Sequence, residues 1–567
     1  MAGGLLNLKA EGSNNIILNG NPTKTFFKVT YSKYTNFGLQ KFRIDYDGLR
    51  ELRPNEESTY NFKVPRYADL LMDTYLVVTL PDIWSPIYHP TLDNTSTGIA
   101  NNGTNQRWAP YDFKWIKNIG THMIKEIVLT CGSTTIQRYT GEYLAGVVER
   151  DFTQEKKNLF NNMTGNISEL NDPANTEGRI NTYPSAFYTT STVGSEPSIR
   201  GRNLYIPINT WFTLDNRCAF PLVALQYNQL QISVTLRAIS ELFQVRDIFD
   251  NEYDRPYVKP EFNEARFQMY RFLQSPPHID LSPENYGNKT NTWNADVHLI
   301  STYCFLSSEE AKKFAMEDQA FLIKDVIEHK FENVTGSKKL KIMSSGMVSS
   351  WMWYLQRNDV GMRNEWSNYT NWPYSNKPGD VLFAPTDISN VIQDLVLPGN
   401  PNYTGPFIDP LDSRNTGIYI TGNFLTVNRK EILETMGIMI NGDYRESMLT
   451  RGVFDYIEKY TRTPGFANEG LYCYNFCLNT DPREYQPSGA LNMSKFKNIE
   501  IELTTHIPDI DLVNSNFDVV CNDSGEPIGV RKMSHQVFDY AFNFVLYEER
   551  YNVLSFIGGN CGMMYAR

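Results

Sequence analysis

Apolar and polar residues alternate along much of this chain with the period of two that a β-strand imposes. Leu230, Ile232, Val234 and Leu236 alternate with Gln231, Ser233, Thr235 and Arg237, which gives a strand one dry and one wet face. Residues 73–81 read as a strand ended by proline, and 125–132 and 134–138 as two strands around Gly132-Ser133. Near the start, the turn dipeptides Asn19-Gly20 and Asn21-Pro22 feed a further alternating stretch. There Thr25, Phe27, Val29 and Tyr31 fall on one face and Phe26, Lys28, Thr30 and Ser32 on the other, which predicts a strand. Strands recur at 295–305, 471–478, 499–503 and 536–556, and the apolar run at 348–356 predicts a strand buried on both faces. Helical signals are sparse. Ser307-Ser308-Glu309-Glu310 fits a capping box opening a short helix through Phe314 and Ala315.

These elements group into blocks. Residues 1–24 form an N-terminal arm with a short apolar piece at Ile16-Ile17-Leu18, and 25–240 are the first strand block. Over 241–291 alternation fades and charges and prolines crowd in, as at Arg255-Pro256 and Pro276-Pro277, which marks a linker. Residues 292–567 are the second block. Loops rich in Asn, Thr, Ser and Gly span 87–109, 152–200 and 358–413, and connections of that length have a task of display or neighbour contact. Strand block, linker and strand block predict an all-β protein of two tandem sandwiches with long loops and a few short helices.

Composition narrows the function. With 567 residues the chain is long enough for about two to four domains, and 13% aromatic against 21% charged residues fits packed β-structure. The net charge of -11, with no basic cluster beyond Lys338-Lys339-Leu340-Lys341, argues against direct nucleic-acid binding. The seven cysteines are scattered and odd in number, and are expected to be mostly reduced core residues, Cys473 and Cys477 included. The N-terminus has no apolar stretch of signal-peptide length, no run approaches a membrane span, and Ala2 occupies the place where myristoylation needs glycine. His89, His122, His278, His298, His329, His506 and His535 are dispersed without metal-ligand spacing, and nucleophile-elbow and phosphate-loop signatures are missing. No cofactor and no enzymatic activity are expected.

Several segments together carry a family resemblance. Gly20-Asn21-Pro22, Thr25-Phe26-Phe27-Lys28, Tyr31 and Thr35-Asn36-Phe37 resemble the opening of the first barrel in the double jelly-roll major capsid proteins of large nucleocytoplasmic DNA viruses. The likeness continues through Gly141-Glu142-Tyr143-Leu144, residues 204–208, Trp211-Phe212 and 219–227. In the second block it rests on Glu309-Glu310, Phe314, 351–357, 472–476, Gln486-Pro487-Ser488-Gly489 and Asn492-Met493-Ser494, and on Tyr551-Asn552-Val553-Leu554 with the closing glycines. The resemblance implies two eight-stranded antiparallel jelly rolls and a homotrimer whose six barrels make a pseudo-hexameric capsomer. Such capsomers would tile an icosahedral virion shell over an internal membrane. It also implies neighbouring capsomers, penton and minor capsid proteins as partners, the membrane as a contact of the N-terminal arm, and assembly in the host cytoplasm.

A rival reading from another class is a carbohydrate-binding or carbohydrate-active β-sandwich. Trp366, Tyr369, Trp372 and Tyr374 would be its aromatic platform, and Asp409 and Asp412 its acid and base pair. Aromatics at loop tips also build protein contacts, and two Asp three apart in a Pro-rich turn commonly cap turns. An Asn-rich chain makes Asn-x-Ser/Thr triplets by chance, and those in loops expected to face outward are the glycosylation candidates: Asn102, Asn162, Asn166, Asn368 and Asn402.

Overall fold

Strand alternation needs partners to become a sheet, and the computed structural model shows which partners each stretch finds. It describes residues 2–9, 12–48, 51–88, 109–186, 195–248, 256–278, 281–371, 380–382, 419–421, 429–508, 518–521, 527–531 and 539–565. The first sandwich has one sheet in which Phe37–Asp45, His298–Leu306 and Leu70–Leu80 run side by side, with Arg202–Pro207 and Phe220–Pro221 also against Leu70–Leu80. Its second sheet orders Ser58–Lys63, Leu230–Leu236, Ile124–Cys131 and Thr134–Tyr139. The alternation at Leu230–Leu236 is realised fully, with every second residue buried.

The second sandwich repeats the plan. One sheet orders Gln319–Phe331, Phe542–Ile557, Met347–Arg357 and Leu471–Asn475, and the other Ser337–Lys341, Ile499–Thr505, Leu433–Ile440 and Asp443–Thr450. All the pairings are antiparallel. The molecule is thus two tandem sandwiches, as the strand blocks predicted, in the double jelly-roll form that the resemblance implied. Met347–Arg357 is buried on both faces: Trp351, Trp353 and Leu355 enter the second core, while Met352 and Tyr354 join a separate cluster. Cys473 and Cys477 are buried free thiols.

Four expectations need correction. The stretch 25–32 is not a strand. Phe26, Phe27, Val29 and Tyr31 are 88%, 99%, 92% and 87% exposed, and the first strand begins only at Phe37. Alternation gives a strand its faces, but its backbone groups still need a neighbouring strand, and the folded chain provides none there. The arm therefore extends past residue 24, and it opens with the helix Ala2–Lys9.

The boundary at 292 is also misplaced, because His298–Leu306 lies inside the first sandwich. It pairs along its length with Phe37–Asp45 and, across a bulge, with Leu70–Leu80. Nor is 241–291 a linker. Phe243, Val245, Phe262, Phe267, Met269 and Phe272 are buried in the first core from short strands and 3-10 turns, whose irregular spacing leaves no period to read. Finally, 152–200 is not structureless. It holds the helix Gln154–Thr164, whose buried Lys157, Phe160 and Thr164 share one face, stopped by Gly165 at φ +76. The expected helix after Ser307 forms over Ser308–Met316, but Ser307 makes no side-chain cap bond, so the capping box is unused.

The placement of Phe243 gives a direct check. Phe243→Ala is expected to destabilise the protein by about 3–5 kcal/mol, the cost of emptying a buried aromatic site. A residue in a solvated linker would cost below about 0.5 kcal/mol, and guanidinium unfolding distinguishes the two.

Candidate functional site

One helix carries a main contact between the two sandwiches. Gly141–Asp151 follows the strand Thr134–Tyr139, and Thr140 caps it by accepting a hydrogen bond from the Tyr143 amide at 3.3 Å. Glycine is required at its first position, since a Cβ on Gly141 would lie 1.9 Å from the Thr121 carbonyl oxygen. The helix presses its other side onto the outer face of the second sandwich. Val147 packs there with Val326, Met352, Tyr354, Leu471, Val545 and Tyr547.

Charges are buried in this apolar seam. Arg150 is 1% exposed, and its Nη2 donates to both Glu549 carboxylate oxygens, at 2.9 and 3.0 Å, and to Asp151 at 2.7 Å. Glu549 also accepts from Ser350 Oγ at 2.6 Å and Tyr143 Oη at 2.8 Å, and Asp151 from Thr480 Oγ1 at 2.5 Å. Glu549 reaches Ser350 because Met347–Arg357 bulges between Val348 and Ser350, so that Ser350 sits opposite Glu549. Burial by itself would raise the Glu549 carboxyl, but Arg150, with Lys324 and the two hydroxyls, brings it down from its ordinary 4.5 to about 2. For Asp151 burial prevails and its carboxyl is pushed up. One guanidinium thus serves two carboxylates, and Glu549 is the better served.

A second seam runs alongside. Arg237 pairs with Glu142 and lies over the Trp366 ring at 4.3 Å, while Trp366 Nε1 donates to the Glu241 carbonyl at 3.0 Å. Asn364 Nδ2 donates to the carbonyls of Ser240 and Phe243 at 2.7 and 2.8 Å. The start of the expected 358–413 loop is therefore stitched to the first sandwich. His122 beneath this seam is pushed down to about 4 by burial and is neutral. Beside the first seam is a cavity of about 80 Å³ bordered by Tyr139, Tyr143, Trp211 and Lys324, far below the few hundred Å³ of a small-molecule site.

The residues singled out from sequence are distributed differently. Trp366 and Tyr369 form no sugar platform, for Trp366 lies under Arg237 and Tyr369 stacks on Tyr354 at 4.2 Å. Trp372, Tyr374, Asp409 and Asp412 lie outside the described residues, as do Asn102 and Asn402. Asn162 is exposed on its helix. Asn166 is tied to Asn118, Asn161 and Asn171, and Asn368 to Glu365 and Thr370. Among the described residues no group of His, Cys, Asp or Glu could hold a metal, and no helix is long and apolar enough to cross a membrane. Sequence reasoning missed Arg150, Asp151, Glu549 and Arg237. The available signal was Glu548-Glu549-Arg550, three charges in the middle of an otherwise apolar strand.

Known proteins share this layout. The family model described as "Major capsid protein N-terminus" matches residues 25–255, and that described as "Large eukaryotic DNA virus major capsid protein" matches 310–562. The major capsid protein of Phaeocystis pouchetii virus is 23% identical with all of both chains covered. That of Chrysochromulina ericina virus is 23% identical over 89% of this chain and 94% of its own. Among solved structures, the PBCV-1 virus capsid subunit has a TM-score of 0.57 at 17% identity, covering 96% of this chain and 100% of that one. The Faustovirus major capsid protein has a TM-score of 0.56 at 13% identity, covering 94% and 92%. The chain belongs to the double jelly-roll major capsid proteins of large eukaryotic DNA viruses.

Two measurements test the joint. Arg150→Met leaves Glu549 and Asp151 buried without their cation and should cost about 3–5 kcal/mol in denaturant unfolding. The pH profile follows from Glu549, whose pKa is lower folded than unfolded. Its stabilisation is complete above 4.5 and is lost as pH falls towards about 2. Asp151, raised by burial, contributes with the opposite sign. Glu549→Gln should therefore lower stability at neutral pH and flatten the acid limb, as read from the unfolding midpoint at stepped pH.

Proposed function

We propose that this protein is a shell tile. Three copies associate into a pseudo-hexameric capsomer of six upright sandwiches, and capsomers pack edge to edge into an icosahedral virion shell over an internal membrane. The observation that carries self-association is the arm. Leu5, Leu6, Leu8, Ile16, Ile17, Leu18, Phe26 and Phe27 are all more than half exposed along it, a length of apolar surface that a solitary soluble chain would cover. Up to Asn36 the arm carries Lys9, Lys24, Lys28 and Lys33 against Glu11 alone, whereas the whole chain has a net charge of -11. A second copy therefore offers it both an apolar contact and an opposite charge. The joint supports the same reading, since a tile needs two sandwiches held at one fixed angle.

Neighbouring capsomers, penton proteins and minor capsid proteins would meet the remaining edges, with the membrane reached through the arm and assembly taking place in the host cytoplasm. The role is structural, with binding surfaces in place of a catalytic centre.

Sedimentation tests this reading. The intact chain is expected to give a species of about three times 65.3 kDa. Removing residues 1–36 should leave the thermal midpoint of the folded chain nearly unchanged and weaken self-association at least about tenfold. A chain that stays monomeric at high concentration, with its arm intact, would overturn the tile.

A further inference from the structure

The end of the chain returns to the first sandwich. The strand Phe542–Ile557 turns through Gly558 and Gly559, at φ +59 and +81, into Asn560–Met563. The Gly559 carbonyl accepts from the Gln226 amide at 2.9 Å, Asn560 Oδ1 accepts from Asn228 Nδ2 at 3.3 Å, and the Phe556 ring meets Phe220 edge-on at 5.2 Å. Asn228 in turn lies against Gly132, the residue after Cys131. These contacts bring Cys561, opposite Phe556 in the hairpin, to Cys131 at the end of Ile124–Cys131. Both thiols are buried in the same apolar cluster, close enough for each to shift the other's titration.

We propose that Cys131 and Cys561 are a disulfide pair, closed by a small-molecule disulfide such as oxidised glutathione, that staples the C-terminal hairpin to the first sandwich. The neighbouring Cys561 thiol holds the Cys131 thiol below its ordinary value, while Cys131 and burial push the Cys561 thiol up. Cys131 leads the exchange, and the reverse order gives the same disulfide. Elsewhere burial raises the thiols of Cys218, Cys304, Cys473 and Cys477, the reverse of what a nucleophile needs.

The Cys131 thiolate attacks one sulfur of glutathione disulfide. A Cys131–glutathione bond forms, and one glutathione thiolate leaves and takes up the proton that Cys131 lost. The Cys561 thiolate then attacks Cys131 Sγ and expels the second glutathione, which takes up the Cys561 proton. Two electrons pass from the protein dithiol to glutathione disulfide, leaving one protein disulfide and two glutathione thiols. The bond would link residues 430 positions apart, the kind of long closure whose restraint on the unfolded state is greatest.

The test uses the full chain in a glutathione redox buffer, both as the native protein and during refolding from urea. Free thiols are then alkylated and the unreduced digest is mapped by mass spectrometry. A Cys131–Cys561 cross-linked peptide is expected in at least one arm, with the oxidised protein unfolding at higher guanidinium than the same protein reduced. Cys561→Ser should abolish that oxidation-dependent shift. Alkylation of both cysteines in both arms, separate glutathione adducts on each, or cross-links to other cysteines would overturn the proposal.

Discussion

The fixed angle between the two sandwiches depends on the Arg150 guanidinium held between Asp151 and Glu549. The helix Gly141–Asp151 contributes apolar packing, but packing of Val147 against Met352, Tyr354 and Tyr547 is non-directional and tolerates sliding. Hydrocarbon at the charged positions could serve stability as well as the ion cluster does. What hydrocarbon lacks is direction. The guanidinium fork meets Asp151 through Nε and Nη2 at 3.0 and 2.7 Å while Nη2 also holds both Glu549 oxygens, and any slip would leave a charge buried without its partner.

The strand bulge and the helix cap follow from that requirement. The bulge in Met347–Arg357 places Ser350 on Glu549, and the bare backbone at Gly141 lets the helix start close enough for Arg150, about two and a half turns later, to reach the strand. The seam of Arg237, Glu142 and Trp366 adds a second line of attachment beside the first. Two lines resist rotation where one would act as a hinge.

Much of the fold was legible in the chain, and the failures share a physical cause. Leu230–Leu236 and Met347–Arg357 were readable because burial there is periodic on one face or complete on both. Phe243, Phe262 and Phe272 were not, because a short strand and irregular turns bury residues there without a sustained period. The stretch 25–32 misled because alternation reports the faces of a strand but not whether another strand lies beside it. Of the joint, only the charged triplet Glu548-Glu549-Arg550 was visible, and its partner Arg150 lies hundreds of residues away on a helix that Asn- and Lys-rich flanks disguised. Family likeness ran through Gly141-Glu142-Tyr143-Leu144, yet nothing local told that this segment was the start of that helix.

The place of His298–Leu306 has a consequence for how the protein is made. Because Phe37–Asp45 touches Leu70–Leu80 only through this later strand, the first sheet stays open until more than half of the polypeptide has left the ribosome. Through that interval the newborn chain exposes the unpaired edge of Leu70–Leu80, an almost wholly apolar strand, which is a template for wrong pairing between nascent neighbours. Closure across such a sequence distance is slow. The finished fold thus hides its most pairing-prone edge only at the end of that interval, so the hazard belongs to the growing chain and not to the folded protein.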